Sequence, residues 1–273
     1  MPIQNETHLL LIDPQNDFCD IPGAALPVAG AVADMTRLAA LMERAGRDFA
    51  AIHVTLDSHH PVDIAHPGWW EDDRGATPAP FTLIRAADVA QGGWRARDPE
   101  ARAHSQRYVE ALEAGGRQVL VVWPEHCLLG GWGHNVYAPV KTALDAWARA
   151  GRRQVNYVIK GTNPGTEHYS AFAAEVPDPA DVATEINAGL VARLAAASEI
   201  VIAGEALSHC VAASVRDLAA QLGPEACRRI TLLTDCSSAV PGFESLAEAF
   251  VEECRGRGMH LLASTEWRLG AGR

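Results

Sequence analysis

No stretch of the 273-residue chain holds the roughly 18 consecutive apolar residues that a membrane-spanning helix requires. Runs of Lys and Arg are missing too: 23 basic residues face 34 acidic ones, and the formal charge of -11 would be repelled by phosphate backbones and anionic lipid. Neither nucleic acid nor a membrane is therefore expected as a partner. The opening MPIQNETHLLLIDP lacks the basic flank and apolar stretch of a signal peptide. The six cysteines (Cys19, Cys127, Cys210, Cys227, Cys236, Cys254) show no CxxC spacing. A chain of this length needs no disulfide staples, so reduced thiols in a soluble, cytoplasmic protein are the expectation. Internal repeats and low-complexity tracts are absent as well.

What is present is enough apolar residue, 48%, for a substantial core, and a length ordinary for one α/β domain over 1–273. Short apolar runs alternate with segments of helical periodicity. The strand-like runs are LLLI before Asp13, AIHVTL before Asp57, VLVVWP before His126, VNYVI before Lys160, EIVIAGEALSH before Cys210, then RITLLTD and MHLLAS. Helical spacing marks VAGAVADMTRLAALMERAG, stopping at Gly46, then Val136 to Ala150, Thr184 to Ala197, Cys210 to Leu222 and Glu244 to Arg255. Such alternation predicts a mainly parallel sheet with helices on both faces, a three-layer αβα arrangement. Pro61 to Ala103, rich in Pro, Gly, Trp and charge, breaks the rhythm. A connection this long is usually functional, and it reads either as a lid over a site, walled by Trp69, Trp70 and Trp94, or as a peripheral or subunit-contact insertion.

Residues just past the carboxyl ends of parallel strands line one crevice, so Asp13, Asp57, His126, Lys160 and Cys210 are expected to converge. Cys210 starts a helix, where the dipole and a nearby Lys160 ammonium are expected to favour thiolate. Asp13 can take the thiol proton and later return it to a leaving group. His209 adjoins Cys210, but adjacent side chains at a helix start do not face one another, which excludes a papain-like Cys-His pair. On an extended segment Asp57 and His59 point the same way. Together with His126 they suit one divalent transition metal, Zn first and Fe or Mn as alternatives. His66 is a possible fourth ligand, and His60 lies in the same loop. Phe18 and Trp123 are placed to stack on a flat substrate. Tyr169 and Phe172 are read as packing, and Trp132 and His134, in GGWGHN, as possible pocket lining.

These residues carry a resemblance. In order, DPQNDF (13 to 18), DSH (57 to 59), WPEHC (123 to 127), KGTNPGTEHYSAF (160 to 172) and GEALSHCV (204 to 211) resemble the motifs of the nicotinamidase branch of the isochorismatase-like cysteine hydrolases. The likeness spans most of the chain outside Pro61 to Ala103 and the far C-terminus. It implies a Rossmann-like, mainly parallel six-stranded sheet, a triad of Asp13, Lys160 and Cys210, and metal ligands Asp57, His59 and His126. It also implies substrate contacts from Phe18 and Trp123, a cis peptide between Glu205 and Ala206, and an oxyanion hole of the Ala206 and Cys210 amides.

The implied activity is hydrolysis of a small-molecule amide to carboxylate and ammonia through a Cys thioester, and a homo-oligomer is expected. Nicotinamide leads as substrate, with another carboxamide, carbamoyl or ureido compound as the rival. The chain departs from the pattern Gly-x-Ala-Thr-Asp-x-Cys in having Leu207 and Ser208 where Thr and Asp stand. The insertion also lengthens the separation of His59 from His126. A true isochorismatase would not need the Cys210 thiol, and a non-catalytic binding module would have lost the triad.

Overall fold

The structure, a computed structural model, describes residues 6–116 and 118–270, so the first five residues of the N-terminal segment read above and the last three of the 1–273 span lie outside the described residues. In chain order the elements are β1 (Thr7–Ile12), α1 (Ala31–Ala45), β2 (Phe49–Asp57), β3 (Trp70–Glu71), β4 (Leu83–Ile84), α2 (Ala86–Ala90), β5 (Arg95–Ala96) and α3 (Arg102–Ala114). They continue as β6 (Leu120–Val121), α4 (Ala138–Gly151), β7 (Asn156–Lys160), α5 (Ala188–Ala196), β8 (Glu199–Gly204), α6 (Cys210–Leu222), α7 (Pro224–Cys227), β9 (Ile230–Leu233), α8 (Glu244–Gly256) and β10 (His260–Leu262).

Six strands form the central sheet in the order β10-β9-β8-β1-β2-β7, every neighbouring pair parallel. All six residues of β1 and of β8 are buried, as expected for strands covered on both faces. Side-chain alternation sorts the layers. Leu10 and Ile12 enter a core with α5, α6 and α8. Leu9 and Leu11 point the other way, into a core with α1 and α4. The expected three-layer αβα architecture is what is found.

Strand order reverses between β1 and β8, with β2 on one side of β1 and β9 beyond β8. Asp13 and the segment leading to Cys210 therefore leave the sheet on either side of the point where α/β crevices form. Register carries the rest: Ile12 pairs with Gly204, and Asp57 with Lys160.

Three sequence expectations need correction. The run VLVVWP does not join the central sheet; its Leu120–Val121 pairs antiparallel with Leu83–Ile84. Leu120 and Val122 instead enter a third cluster with Ile64, Trp70, Ile84, Tyr108, Val109 and Leu112, so their hydrophobicity is used against the insertion. The segment read as helix from Thr184 is capped later: Asn187 Oδ1 accepts the Leu190 amide and the helix starts at Ala188. Finally, the insertion's tryptophans face inward. Trp70 is wholly buried and donates from Nε1 to the Ile64 carbonyl at 2.7 Å, while Trp69 donates to Ser105 Oγ at 3.0 Å and Trp94 packs on the same cluster.

Candidate active site

Asp13 follows β1 in the left-handed region, with φ 45°, and is fully buried. Thr55, on the neighbouring strand, fixes it. Its Oγ1 accepts the Asp13 amide at 2.9 Å and donates to Asp13 Oδ1. Lys160 ends β7 and is only 2% exposed, with Nζ 3.0 Å from Asp13 Oδ2 and 2.8 Å from Asp57 Oδ1. Nζ also donates to the His168 carbonyl at 2.8 Å and lies 3.7 Å from Cys210 Sγ. Asp13, Lys160 and Cys210 are thus brought together, as the sequence leads one to expect.

Burial sets the protonation states. It raises Asp13 above the usual carboxylate range, with Lys160 opposing and Asp57 reinforcing. For Lys160 burial pulls downward, but Asp13 and Asp57 overcome it and hold the ammonium well above its ordinary value. The expectation for Cys210 is corrected. Burial, helped by Asp13 and Asp57, pushes the thiol well up despite Lys160. Desolvation is the largest influence on this sulfur, and Lys160 opposes it.

Cys210 is the first residue of α6, and its amide, like those of any helix start, has no intrahelical acceptor. The preceding loop is held tightly. Glu205 donates its amide to Ile12, Leu207 donates to Ser238 at 2.8 Å, and the Val211 amide turns back to the Ala206 carbonyl at 3.1 Å. The peptide joining Glu205 to Ala206 is cis. Gly204 is required here, since a Cβ would meet the Ile12 carbonyl oxygen at 2.0 Å.

A second cluster adjoins the first. His59, His66 and His126 are buried with ligand-capable nitrogens all within 4.8 Å. Asp57 Oδ2 lies 3.1 Å from His59 Nε2 and 3.3 Å from His126 Nε2. His126 reaches this place without a sheet strand: the His59 amide donates to Cys127, the Leu129 amide donates to His59, and Asp17 Oδ2 accepts the Cys127 amide at 2.7 Å. Asp63 Oδ2 pairs with His59 Nδ1 at 3.0 Å, and the exposed His60 contributes its carbonyl to His66 Nδ1. Burial and the neighbouring imidazoles drop His66 to about 2, so it is a neutral donor. Burial works against charge on Asp57, yet Lys160, His59 and His126 together keep its carboxyl well below the usual range. Two nitrogens on one side of a shared carboxylate, a third nitrogen, and the Glu167 carboxylate 4.0 Å from His59 Nε2 form a donor set that fits a divalent transition metal.

Aromatic rings wall the site. Phe18 meets His126 edgewise at 5.5 Å. Trp123 donates to the Tyr169 hydroxyl at 2.8 Å and touches the rings of His209, Phe243 and Phe81. Phe172 is core, and Trp132 is 51% exposed. His134 Nε2 bonds Ser58 Oγ at 2.8 Å. Sequence reasoning passed over Thr55, Asp63, Glu167 and Gln15, whose side chain pins both the amide and the carbonyl of Asp57 at 2.8 Å. Gln15 and Glu167 lie inside the quoted motifs, whereas Thr55 and Asp63 carry no signal of their own. Phe81 was passed over as well. Held at φ 69° and 50% exposed, it is the insertion's aromatic on Trp123.

A parallel six-stranded sheet between two helical layers is a fold this chain shares with solved nicotinamidases and with an isochorismatase family protein. Among solved structures, the yeast nicotinamidase bound to the inhibitor nicotinaldehyde superimposes with TM-score 0.63 at 19% identity, covering 94% of this chain and 99% of its own. A nicotinamidase/pyrazinamidase from Acinetobacter baumanii gives 0.64 at 20%, over 96% and 97%. The pyrazinamidase of Pyrococcus horikoshii in complex with zinc gives 0.57 at 19%, over 94% and 99%. Likeness at these identities is likeness of fold. No protein-family model matches the chain. No curated protein matches it either.

Proposed function

We propose that the protein is an amidohydrolase that converts a small carboxamide to a carboxylate and ammonia through a thioester on Cys210. One observation carries the reading: a helix-starting thiol 3.7 Å from a buried ammonium that is itself 3.0 Å from a buried carboxyl group. Asp13 takes the Cys210 proton, with Lys160 stabilising both anions, and Sγ attacks the carboxamide carbon. The Ala206 and Cys210 amides hold the developing oxyanion. As the C–N bond breaks, Asp13 returns its proton to nitrogen and ammonia departs. Water, deprotonated by Asp13, then opens the thioester and Sγ regains a proton. Phe18 and Trp123 sandwich the acyl group.

His59, His66 and His126 with Asp57 would hold one metal, and zinc leads because the structurally similar Pyrococcus horikoshii protein was solved with it. When bound, such a metal supplies an anchor for a ring nitrogen or a polarised water. Nicotinamide is the leading substrate, since similar folds are nicotinamidases. Another carboxamide or a ureido compound is favoured by the insertion's Phe81 on Trp123. Ammonia release from a panel of nicotinamide, pyrazinamide and ureido compounds, by the wild type and Cys210→Ala, tests the reading. Release by the wild type alone supports it. Equal release by both refutes it.

A further inference from the structure

Glu205 lies in the loop between β8 and the nucleophile, is wholly buried, and has no part in the reaction above. Its Oε2 accepts the Ser238 amide at 3.1 Å, but Oε1 finds no donor among the described residues. What lies within hydrogen-bond reach of the side chain is a second carboxyl group, Asp34 of α1. Two buried carboxylates side by side do not both ionise, so one keeps a proton. Asp34 already receives the Arg37 guanidinium and the Ser238 hydroxyl. Arg37 also reaches Asp235, at 3.8 Å. Among the described residues no ion pair reaches Glu205. The remaining titratable groups around it are Asp20 and the Cys19 thiol, on the segment after β1, and neither stabilises a second negative charge.

We propose that Glu205 is a positioning residue for the nucleophile loop: as a neutral carboxylic acid it donates from Oε1 to Asp34 and accepts from Ser238, tying that loop to α1 and to the segment after β9. An Oε1 that is an orphan as an acceptor is satisfied as a donor. Burial, with Asp34 reinforcing it, pushes this carboxyl well above its ordinary value. The same loop carries Ala206 and leads into Cys210, so displacing Glu205 misplaces the amides that face the substrate. The kinetic half of the proposal rests on the amidohydrolase reading. The protonation half does not.

Glu205→Gln keeps a donor and an acceptor but cannot ionise, whereas Glu205→Ala keeps neither. A group whose folded-state value is raised contributes stability that is complete below its unfolded value of 4.5 and is lost as pH climbs toward the folded value. Thermal midpoints of wild type and Glu205→Gln should therefore diverge as pH is raised from about 5 to about 8, with the wild type losing ground. Titrating groups away from the Glu205–Asp34 pair are common to both proteins and cancel. Parallel curves overturn the proposal. In amide hydrolysis Glu205→Gln should stay within about threefold of wild-type kcat, while Glu205→Ala loses up to about a hundredfold in kcat with little change in KM. Equal impairment of the two variants overturns the positioning role. If even the wild type hydrolyses no amide, the functional reading fails while the midpoint comparison still decides the state of Glu205.

Discussion

Replacing Lys160 by Met removes the cation that stands between two buried carboxyl groups, and the cost can be worked from distances. Nζ is 3.0 Å from Asp13 and 2.8 Å from Asp57. At an effective dielectric constant of about 20, each contact is worth about 5 to 6 kcal/mol of Coulomb attraction. Desolvating the ammonium consumes much of this, and breaking a buried pair by deleting one partner usually nets about 3 to 5 kcal/mol. Against a typical stability of about 5 to 15 kcal/mol, the variant should fold but sit near the margin. The assay is urea unfolding of metal-free protein followed by tryptophan fluorescence. Without the ammonium, both carboxyl groups shift upward in the folded state, so the variant binds more protons folded than unfolded. Its deficit must shrink as pH is lowered from about 7 to about 5. A deficit under about 1 kcal/mol at pH 7, or one that grows on acidification, would refute the picture of a buried charge cluster held by Lys160.

Cys210→Ala should lower turnover by at least about a thousandfold with the fold intact, judged by circular dichroism and steady-state kinetics. Among the six free thiols, all buried, Cys210 has 6% exposure against 0–1% for the others, so mild alkylation of native protein followed by peptide mapping should mark it first. Elemental analysis should find about one transition metal per chain, lost on chelation and in His126→Ala; full activity without metal would return the histidines to a structural role. Trp70→Ala should destabilise by about 3 to 5 kcal/mol without changing relative amide preference. Phe81→Ala should do the reverse, altering discrimination among amides by about 1 to 3 kcal/mol with little change in melting temperature.

Asp13, Asp57, Lys160 and Cys210 were legible because a buried parallel strand advertises itself as an apolar run, and a polar residue at its end has one place to go. Apolar runs do not say which sheet they join, so β6 was misassigned: Leu120 and Val122 satisfy their hydrophobicity against Trp70 and Tyr108 instead. The tryptophans of the insertion misled for a related reason, since an aromatic beside a site motif and an aromatic in a small separate core look alike in one dimension. Thr55 was invisible because a threonine inside a β-branched strand is ordinary, and only its hydrogen bonds to Asp13 give it a task. The sequence shows that Cys210 starts a helix but not the depth at which it is buried.

The central position of β1 has a consequence for how the chain is made. One edge of β1 is matched early by β2, but its other partner, β8, begins at Glu199. At ribosomal speeds of about 5 to 20 residues per second, that edge waits roughly 10 to 40 s for its neighbour. During this interval Leu9 to Ile12 present open backbone groups and apolar side chains, the combination that invites pairing with other chains. Asp13 also waits, because the thiol it serves emerges only after β8 has closed the gap. The cluster of Asp13, Lys160 and Cys210 is thereby completed only after the sheet, and slowing synthesis between β7 and β8 should appear as aggregation.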